Sequence, residues 1–417
     1  MSQTRSVSIA CVGLVLVLSA CGSSGGETSG SSGDASTGST TGGGGAASSG
    51  NIVRIDGGRY HTCFSTKSGA VYCFGQGAYG ALGNNGSYRG VPTQALVIDD
   101  AIDVQCGGRF TCARRAEKTL FCWGEDQAGQ LGGPDTKPCG DAQIDSVCAP
   151  VPQVVNGITD AAGLALGRDH ACALLAGGTV SCWGENADGQ LGNATLTPQM
   201  TPKVVTGVQG ATQITAGDAH TCALVGSKGL VFCWGNNANG QVGSGAVTAG
   251  EPLPIEVAGV VDAVEVAAGG EHTCARRSNG SIQCWGYNYF GQLGNGSTSP
   301  TRATSPVDVV GVSDAVELAL GRYHTCARQT GGTISCWGYN SKGELGDGTS
   351  TDRVKPVQVV SISDAAVIAA GAWHTCAILG SGPVMCWGDD LGGQLGIDAV
   401  NKVANPTPVM VKALPMQ

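Results

Sequence analysis

Short apolar segments alternate with Gly, Asn and Asp along the chain from residue 51 onward. Residues 254–286 show this pattern four times, in the segments PIEVAGV, AVEVAAG, HTCARR and SIQCWG. Apolar and polar positions alternate within these segments, which is the period of a half-buried strand. No stretch after Gly50 has the apolar spacing of an amphipathic helix. The pattern therefore predicts an all-β fold of short antiparallel strands.

The four-segment unit recurs seven times, and its first cysteine falls at positions 63, 112, 172, 222, 274, 326 and 376. A Gly stands five residues before that cysteine in every unit, and a His stands two residues before it except at Phe110. A second cysteine follows ten residues later (eleven in the fourth unit) and precedes Trp-Gly, or Phe74-Gly75 in the first unit. A Gly-Gln-Leu-Gly or a close variant comes next. Seven four-stranded units over residues 51–417 predict a seven-bladed β-propeller with four-stranded blades.

The two ends of the repeat array differ from its interior. The entering sequence NIVRIDGGRYHTC lacks the first segment of the unit, and the final NPTPVMVKAL matches only that first segment. We therefore expect the C-terminal strand to join the first blade and close the ring, which would leave no open array with exposed strand edges.

The motif Gly-x-x-His-Thr-x-Ala followed by Val-x-x-Trp-Gly-x-Asn-x-x-Gly-Gln-Leu-Gly resembles the repeat of the regulator of chromosome condensation (RCC1) family. The resemblance covers residues 51–417 and implies a seven-bladed propeller that recognises protein surfaces. Family functions include guanine-nucleotide exchange on chromatin, ultraviolet-B reception and inhibition of β-lactamases, so the fold alone selects none of them. Export, acidity and a cysteine pair in every unit set this chain apart from the eukaryotic members. Export and acidity argue against work on chromatin and small GTPases, and so against guanine-nucleotide exchange activity.

The two cysteines of a unit lie directly opposite each other if the hairpin turn is centred between them, as at Asn279. Opposed residues at a non-hydrogen-bonded position are close enough for a disulfide. The spacing fits neither a zinc site nor a Cys-x-x-Cys redox motif, so we expect no metal and no cofactor. An eighth pair lies in an insertion at about 133–150, and Cys106 is left over as a free thiol, buried or reactive. The predicted disulfides are Cys63–Cys73, Cys112–Cys122, Cys139–Cys148, Cys172–Cys182, Cys222–Cys233, Cys274–Cys284, Cys326–Cys336 and Cys376–Cys386.

The recurring His and Trp residues are interpreted as framework. Six imidazoles at equivalent positions could converge on a metal, but Phe110 replaces one of them and no carboxylate recurs beside them. We expect each His to bond to backbone of its own or a neighbouring blade, and each Trp to pack between blades.

Binding residues are expected where the units differ, in the two positions before each His and in the loop after Trp-Gly. Tyr, Trp and Arg are common at protein-binding hot spots, although solvated loop tips are the plain alternative. The insertion at 133–150 is a further candidate. The candidate face residues are Arg59, Tyr60, Arg109, Arg168, Asp169, Glu271, Arg322, Tyr323 and Trp373 before the His, and Tyr287, Tyr289 and Phe290 after Trp-Gly.

Catalytic motifs are missing from the sequence: it has no nucleophile elbow, no His-Glu-x-x-His and no phosphate loop. No catalytic residue is assigned. The sequence predicts a non-catalytic module that binds a protein or glycan through one face of the propeller. Two alternatives stay open: a hydrolase or lyase that uses face carboxylates from several blades, and a structural component of the envelope. The adjacent Asp389 and Asp390 are interpreted as solvated side chains.

Residues 1–20 have the layout of a secretory signal peptide, and Leu18-Ser19-Ala20-Cys21 resembles the lipobox of bacterial lipoproteins. That resemblance implies lipidation of Cys21, with an ordinary cleaved signal as the alternative. Residues 21–50 are rich in Gly, Ser and Thr and predict a flexible tether. The expected location is the cell envelope, at the outer membrane or cell surface, with a periplasm-facing anchor as the alternative.

Composition agrees with export. Nineteen cysteines indicate an oxidising compartment. The net charge of −9 and the lack of a basic run argue against nucleic acid as a partner. We expect a monomer that contacts the membrane only through its lipid.

Overall fold

The computed structural model describes residues 52–86, 88–133, 137–139, 146–398 and 404–412. The predicted signal peptide, Cys21, the tether and part of the 133–150 insertion lie outside these residues. Within the described ranges there are 29 strands and no helix, so none that could span a bilayer.

The strands form seven consecutive blades. Blade 1 contains β1 (Ile52–Gly57), β2 (His61–Thr66), β3 (Val71–Gln76) and β4 (Tyr88–Gln94). Blade 2 contains β5 (Ala101–Cys106), β6 (Phe110–Arg115), β7 (Leu120–Glu125), the short β8 (Lys137–Pro138) and β9 (Val147–Val154). Blade 3 contains β10 (Ala161–Leu166), β11 (His170–Leu175), β12 (Val180–Gly184) and β13 (Gln199–Val204). Blade 4 contains β14 (Ala211–Ala216), β15 (His220–Val225), β16 (Leu230–Asn236) and β17 (Gly250–Glu256). Blade 5 contains β18 (Ala263–Ala268), β19 (His272–Arg277), β20 (Ile282–Tyr287) and β21 (Arg302–Asp308). Blade 6 contains β22 (Ala315–Leu320), β23 (His324–Gln329), β24 (Ile334–Gly338) and β25 (Arg353–Gln358). Blade 7 contains β26 (Ala365–Ala370), β27 (His374–Leu379), β28 (Val384–Gly388) and β29 (Asn405–Met410).

Each blade is an antiparallel meander, so the predicted seven-bladed propeller with four-stranded blades is confirmed. Blade 2 differs only in β8, which adds a fifth strand beside β9. The apolar core is divided into clusters that each lie between two neighbouring blades. Between blades 5 and 6, for example, Leu293, Val309 and Val312 pack against Leu318 and Trp337.

The Trp of the Trp-Gly motif is fully buried at these blade junctions, as predicted. Its indole Nε1–H donates to a carbonyl of the preceding blade, at 2.8–2.9 Å, and that carbonyl belongs to the second residue of the Gly-Gln-Leu-Gly segment. In blade 6, Trp337 and the hydroxyl of Thr325 both donate to the Gln292 carbonyl, at 2.9 Å each. The two repeat motifs therefore form one latch between adjacent blades.

The histidines form a second part of the latch, through a side chain of the next blade where we expected backbone. His272 Nε2 lies 2.8 Å from Thr325 Oγ1. Because Thr325 already donates its hydroxyl proton to a carbonyl, its oxygen accepts the Nε2–H of a neutral imidazole. Both partners of this hydrogen bond are replaced at the junction of blades 2 and 3. Phe110 of blade 2 stands in place of the His, and Ala171 of blade 3 stands in place of the Thr.

All eight predicted cysteine pairs form disulfides in the structure. In the seven intra-blade pairs the Cα atoms are 4.0–4.1 Å apart. Cys274 lies directly opposite Cys284 in the β19–β20 register. The short separation is that of a non-hydrogen-bonded antiparallel pair, as the hairpin argument required.

The predicted pairing of the C-terminal strand with the first blade is wrong. β29 pairs with β28 of blade 7, with Val409 opposite Cys386, and blade 1 is complete with β1–β4. The segment after each Gly-Gln-Leu-Gly returns onto the Trp-Gly strand of its own blade, so the repeat boundary lies one strand later than we placed it. The ring closes by β1 packing on β26 and β27 and by the usual latch, with His374 Nε2 2.8 Å from Thr62 Oγ1.

Candidate functional site

The loop between the first and second strand of each blade carries the two variable positions before the His. In blades 2–7 the backbone N–H of the first variable residue donates to the same loop of the next blade, at 3.1–3.3 Å. These bonds run around the propeller axis and hold the seven loops in one ring. The first variable residues therefore surround the opening of the central channel, which we call the channel mouth: Arg59, Gly108, Arg168, Asp218, Gly270, Arg322 and Ala372.

Six aromatic side chains from three adjacent blades form a continuous cluster beside the mouth, with ring centroids 4.8–6.5 Å apart. We call it the aromatic ridge: Tyr287, Tyr289, Phe290, Tyr323, Tyr339 and Trp373. All six are at least partly exposed, and Tyr289 is 58% exposed. Neighbouring loops hold the rings against one another, so the ridge is an ordered apolar surface.

Arg322 joins the ridge to the channel mouth. Its guanidinium lies 5.1 Å from the centroid of Tyr323 and 5.6 Å from that of Trp373, within the range of cation–π attraction. On its other side it forms an ion pair with Asp218, with Nε 3.3 Å from the carboxylate. Stacking and pairing together orient this arginine at the edge of the opening.

Blades 1–3 carry a charged depression on the same face, which we call the charged basin. It is lined by Arg59, Arg109, Glu125, Gln127, Arg168, Asp169 and Glu185, among other residues. Arg109 lies 4.5 Å from the ring centroid of Tyr79 and 3.7 Å from the Glu125 carboxylate. Arg168 pairs with Asp169 at 2.7 Å. Burial raises the pKa of Glu125 above its usual value, and Arg109 opposes that rise.

Glu271 is the acidic residue nearest the ridge. Its carboxylate accepts a hydrogen bond from Asn239 Nδ2 at 2.8 Å and lies 3.5 Å from the Tyr323 hydroxyl. Burial raises the pKa of Glu271, and the charge of Asp218 raises it further. This carboxylate is therefore held in place as part of the ridge.

The structure brings the predicted face residues to one side of the propeller but divides them into two groups. Tyr287, Tyr289 and Phe290, predicted as a separate loop, contact Tyr323 and belong to the ridge with Trp373. Of the remaining predicted residues, Arg59, Arg109, Arg168 and Asp169 lie at the mouth and in the basin. Tyr60 contacts Arg59, with its ring centroid 5.3 Å from the guanidinium. Arg322 and Glu271 contact the ridge.

Two aromatic residues of this face were not predicted as binding residues, although both stand at repeat positions where other residues were. Tyr339 follows Trp337-Gly338 as Tyr287 follows Trp285-Gly286, and Tyr79 occupies the position of Phe290 immediately before the next Gly. The sequence did contain a signal for them, because each is an aromatic residue at a repeat position where binding residues were expected.

The prediction that Asp389 and Asp390 are solvated is wrong, because both side chains are buried and bond within their own loop. Asp390 accepts the Leu395 N–H at 3.0 Å, and Asp389 accepts from Gln394 Nε2 at 3.0 Å. The described part of the insertion contacts the basin, because Ser146 Oγ lies 3.5 Å from the Glu125 carboxylate.

His61, Cys63 and Cys106 place one ligand-type atom each within 4.8 Å of one another. Cys63 is bonded to Cys73, which leaves two free ligand atoms, fewer than a protein zinc site uses. Cys106 is free and buried, and its thiol donates to the Asp56 carbonyl oxygen at 3.5 Å. Burial, and then the Asp56 carboxyl, raise the pKa of the thiol, which keeps it protonated and poorly nucleophilic.

Comparisons with known proteins agree with this geometry. A family model described as RCC1-like domain matches residues 139–416, and the RCC1 repeat matches residues 52–81, 68–114 and 101–130. The human E3 ubiquitin-protein ligase HERC2 is 28% identical over 309 residues, 72% of this chain but only 6% of HERC2. The ultraviolet-B receptor UVR8 of Arabidopsis thaliana is 28% identical over 313 residues, 72% of this chain and 68% of the receptor.

Two solved structures share the fold. Yeast RCC1 (Prp20), solved bound to Kap60, has a TM-score of 0.73 at 21% identity, covering 84% of this chain and 85% of that one. Human WBSCR16 has a TM-score of 0.71 at 23% identity, covering 83% and 94%. With seven blades latched by the RCC1 motif and a family match over most of its length, the chain belongs to the RCC1-like domain family.

Proposed function

We propose that the protein is a non-catalytic recognition module of the cell envelope, tethered through lipidated Cys21, that binds a protein or glycan through the face bearing the aromatic ridge. The carrying observation is that three blades contribute six touching aromatic rings to an exposed surface. These six rings are additional to the aromatic side chains of the core, which are the buried Trp residues of the repeat together with Phe64, Phe74 and Phe110. Partly exposed aromatics beside an arginine are typical of binding hot spots.

The ion pairs of the face support binding over catalysis. Asp169, Asp218 and Glu125 each face an arginine, so these carboxylates are held in ion pairs. Protein binding by a relative adds to this support, since yeast RCC1 was solved in complex with Kap60.

The test is capture of envelope components by the full-length, oxidised protein. Wild type is compared with a Tyr60→Ala/Tyr323→Ala/Trp373→Ala variant and with Val204→Ala, which alters an apolar residue that is 60% exposed on the outer strand of blade 3. We expect a partner that binds wild type and the control but is lost from the triple variant. Equal capture by all three proteins would refute binding through the ridge and place the binding surface elsewhere. No capture by any of them would also refute it and favour a structural or enzymatic role.

The tether is tested separately. Cys21→Ser should move the protein from the membrane fraction to the aqueous fraction and abolish incorporation of labelled palmitate, because the thiol is the acceptor in lipoprotein-type processing. Unchanged membrane retention and labelling would refute the anchor while leaving the binding face intact.

A further inference from the structure

Positive charge is concentrated at the channel mouth of an otherwise acidic protein. The seven residues that surround the opening include Arg59, Arg168 and Arg322, and Asp218 is the one acidic member. The other three are Gly or Ala, which leave the opening accessible. Asp56 lines the channel below Arg59, but burial raises the pKa of this carboxyl to about 8, so it carries little charge at neutral pH.

The three arginines differ in how far their donors are already used. Arg168 pairs with Asp169, and Arg322 pairs with Asp218. Among the described residues Arg59 makes no ion pair. The buried Nε–H groups of both Arg59 and Arg322 lack a hydrogen-bond partner. A guanidinium offers five donors, so a buried donor without an acceptor points to an acceptor supplied from outside.

The surroundings of the mouth limit the anion to a small one. Glu125, Asp169 and Glu185 line the basin on one side, and Glu271 lies by the ridge on the other. A polyanion that extended over this rim would meet these carboxylates. One compact group at the axis would meet the arginines and a single acidic residue, Asp218, which is already paired with Arg322. A planar carboxylate can also accept two parallel hydrogen bonds from the N–H groups of one guanidinium.

We propose that the channel mouth is a carboxylate-binding site, in which Arg59 and Arg322 grip a single Asp or Glu side chain of a protein partner while the aromatic ridge packs against the apolar residues beside it. The contact of Arg322 with both Tyr323 and Trp373 places the two halves of the site next to each other. This inference rests on the proposed function for the presence of a partner, and it specifies what that partner presents.

The probe is 3-phenylpropanoate, which joins one carboxylate to one aromatic ring. It is titrated at constant ionic strength into the full-length, oxidised protein carrying ¹⁵N-arginine, and the Nε–H resonances of Arg59 and Arg322 are followed by NMR. The uncharged 3-phenylpropanamide and inorganic phosphate are titrated in parallel. We expect saturable shifts with a dissociation constant on the order of millimolar, and binding of the amide weaker by about tenfold or more.

Variants assign the site. Arg59→Gln should weaken binding of the acid by about tenfold, whereas Arg89→Gln, at an exposed position of an outer strand, should leave it unchanged. Absence of saturation, equal binding of acid and amide, or equal binding by the two variants would overturn the proposal. Tighter binding of phosphate than of the acid would also overturn it, in favour of a phosphate site.

The outcome is separable from that of the capture experiment, because the probe needs no partner. Probe binding without capture of any partner would keep the carboxylate site and remove the recognition function. A captured partner whose binding is unaffected by Arg59→Gln would keep the function and remove the carboxylate site.

Discussion

Replacing His272 by Phe and Thr325 by Ala would place at the junction of blades 5 and 6 the pair that the chain already uses between blades 2 and 3. Each single change should destabilise the protein. His272→Phe removes the 2.8 Å bond to Thr325 and forces a ring against the hydroxyl, while Thr325→Ala leaves the buried Nε2–H without an acceptor. Each cost is about 1–3 kcal/mol.

The double variant should be less destabilised than the sum of the singles by about 1–3 kcal/mol, because both polar partners are then replaced by apolar groups of matching shape. The Gln292 carbonyl keeps its bond from Trp337 in all variants. The assay is urea unfolding of the oxidised protein, followed by fluorescence of the buried Trp residues. Additive costs would show that Phe110 and Ala171 are not a compensated pair.

The same variant tests the state of the histidine. Burial, and to a smaller extent the neighbouring His220 and His324, lower the pKa of His272 from 6.5 to about 3. Because the pKa of His272 is lower in the folded state, its contribution to the free energy of unfolding is present above the unfolded-state pKa of 6.5. That contribution is lost as the pH falls toward 3. At about pH 5 the loss is about 2 kcal/mol for each such histidine.

The double variant lacks this one histidine and keeps all other titrating groups. Its stability should therefore fall by about 2 kcal/mol less than that of wild type between about pH 7.5 and about pH 5. Parallel pH dependences of the two proteins would mean that His272 is protonated in the folded state, and the neutral latch would be refuted.

Three further changes probe other parts of the framework. Replacing Cys326 and Cys336 together by Ala should lower the free energy of unfolding by about 2–3 kcal/mol, the entropy of closing a short loop, as read from urea midpoints. Gly346→Ala should cost about 2 kcal/mol or more in thermal unfolding, because φ is +64° and a Cβ would lie 2.8 Å from Trp387 Nε1. Glu344→Gln should stabilise the protein by about 2–3 kcal/mol at neutral pH, and the gain should vanish near pH 4.

The glycine and glutamate changes each have a contrasting measurement. Gly311→Ala has a similar φ of +83° but open space around the new Cβ, so it should cost only the backbone strain, about 1 kcal/mol. For Glu344, burial raises the pKa to about 8. The carboxyl's contribution is thus present below about pH 4.5 and lost as the pH rises through 8. Equal costs for the two glycines, or a pH-independent gain for Glu344→Gln, would contradict the assigned causes.

Much of the framework followed from the sequence because local physics dictates it. Spacing of ten residues around a turn places Cys274 opposite Cys284 without any long-range information. The replacement of the His by Phe110 could also have been connected to Ala171, if the sequences of the two neighbouring units had been compared. The closing strand was misplaced because the sequence of a repeat does not show at which strand a blade begins. In the structure each blade begins one strand later than predicted, so β29 pairs with β28.

Which residues lie together on the binding face could not be predicted without the fold. Tyr287 and Tyr323 are 36 positions apart in the chain, and their contact depends on how far adjacent blades rotate about the axis. The sequence by itself determined the repeat, the strands, the disulfides and the buried Trp positions, because these depend on local periodicity and the burial of apolar side chains. Only the tertiary structure decided which variable residues meet, since ring closure brings together side chains from separate blades: aromatic rings on one side of the axis, arginines around it, and carboxylates at the rim.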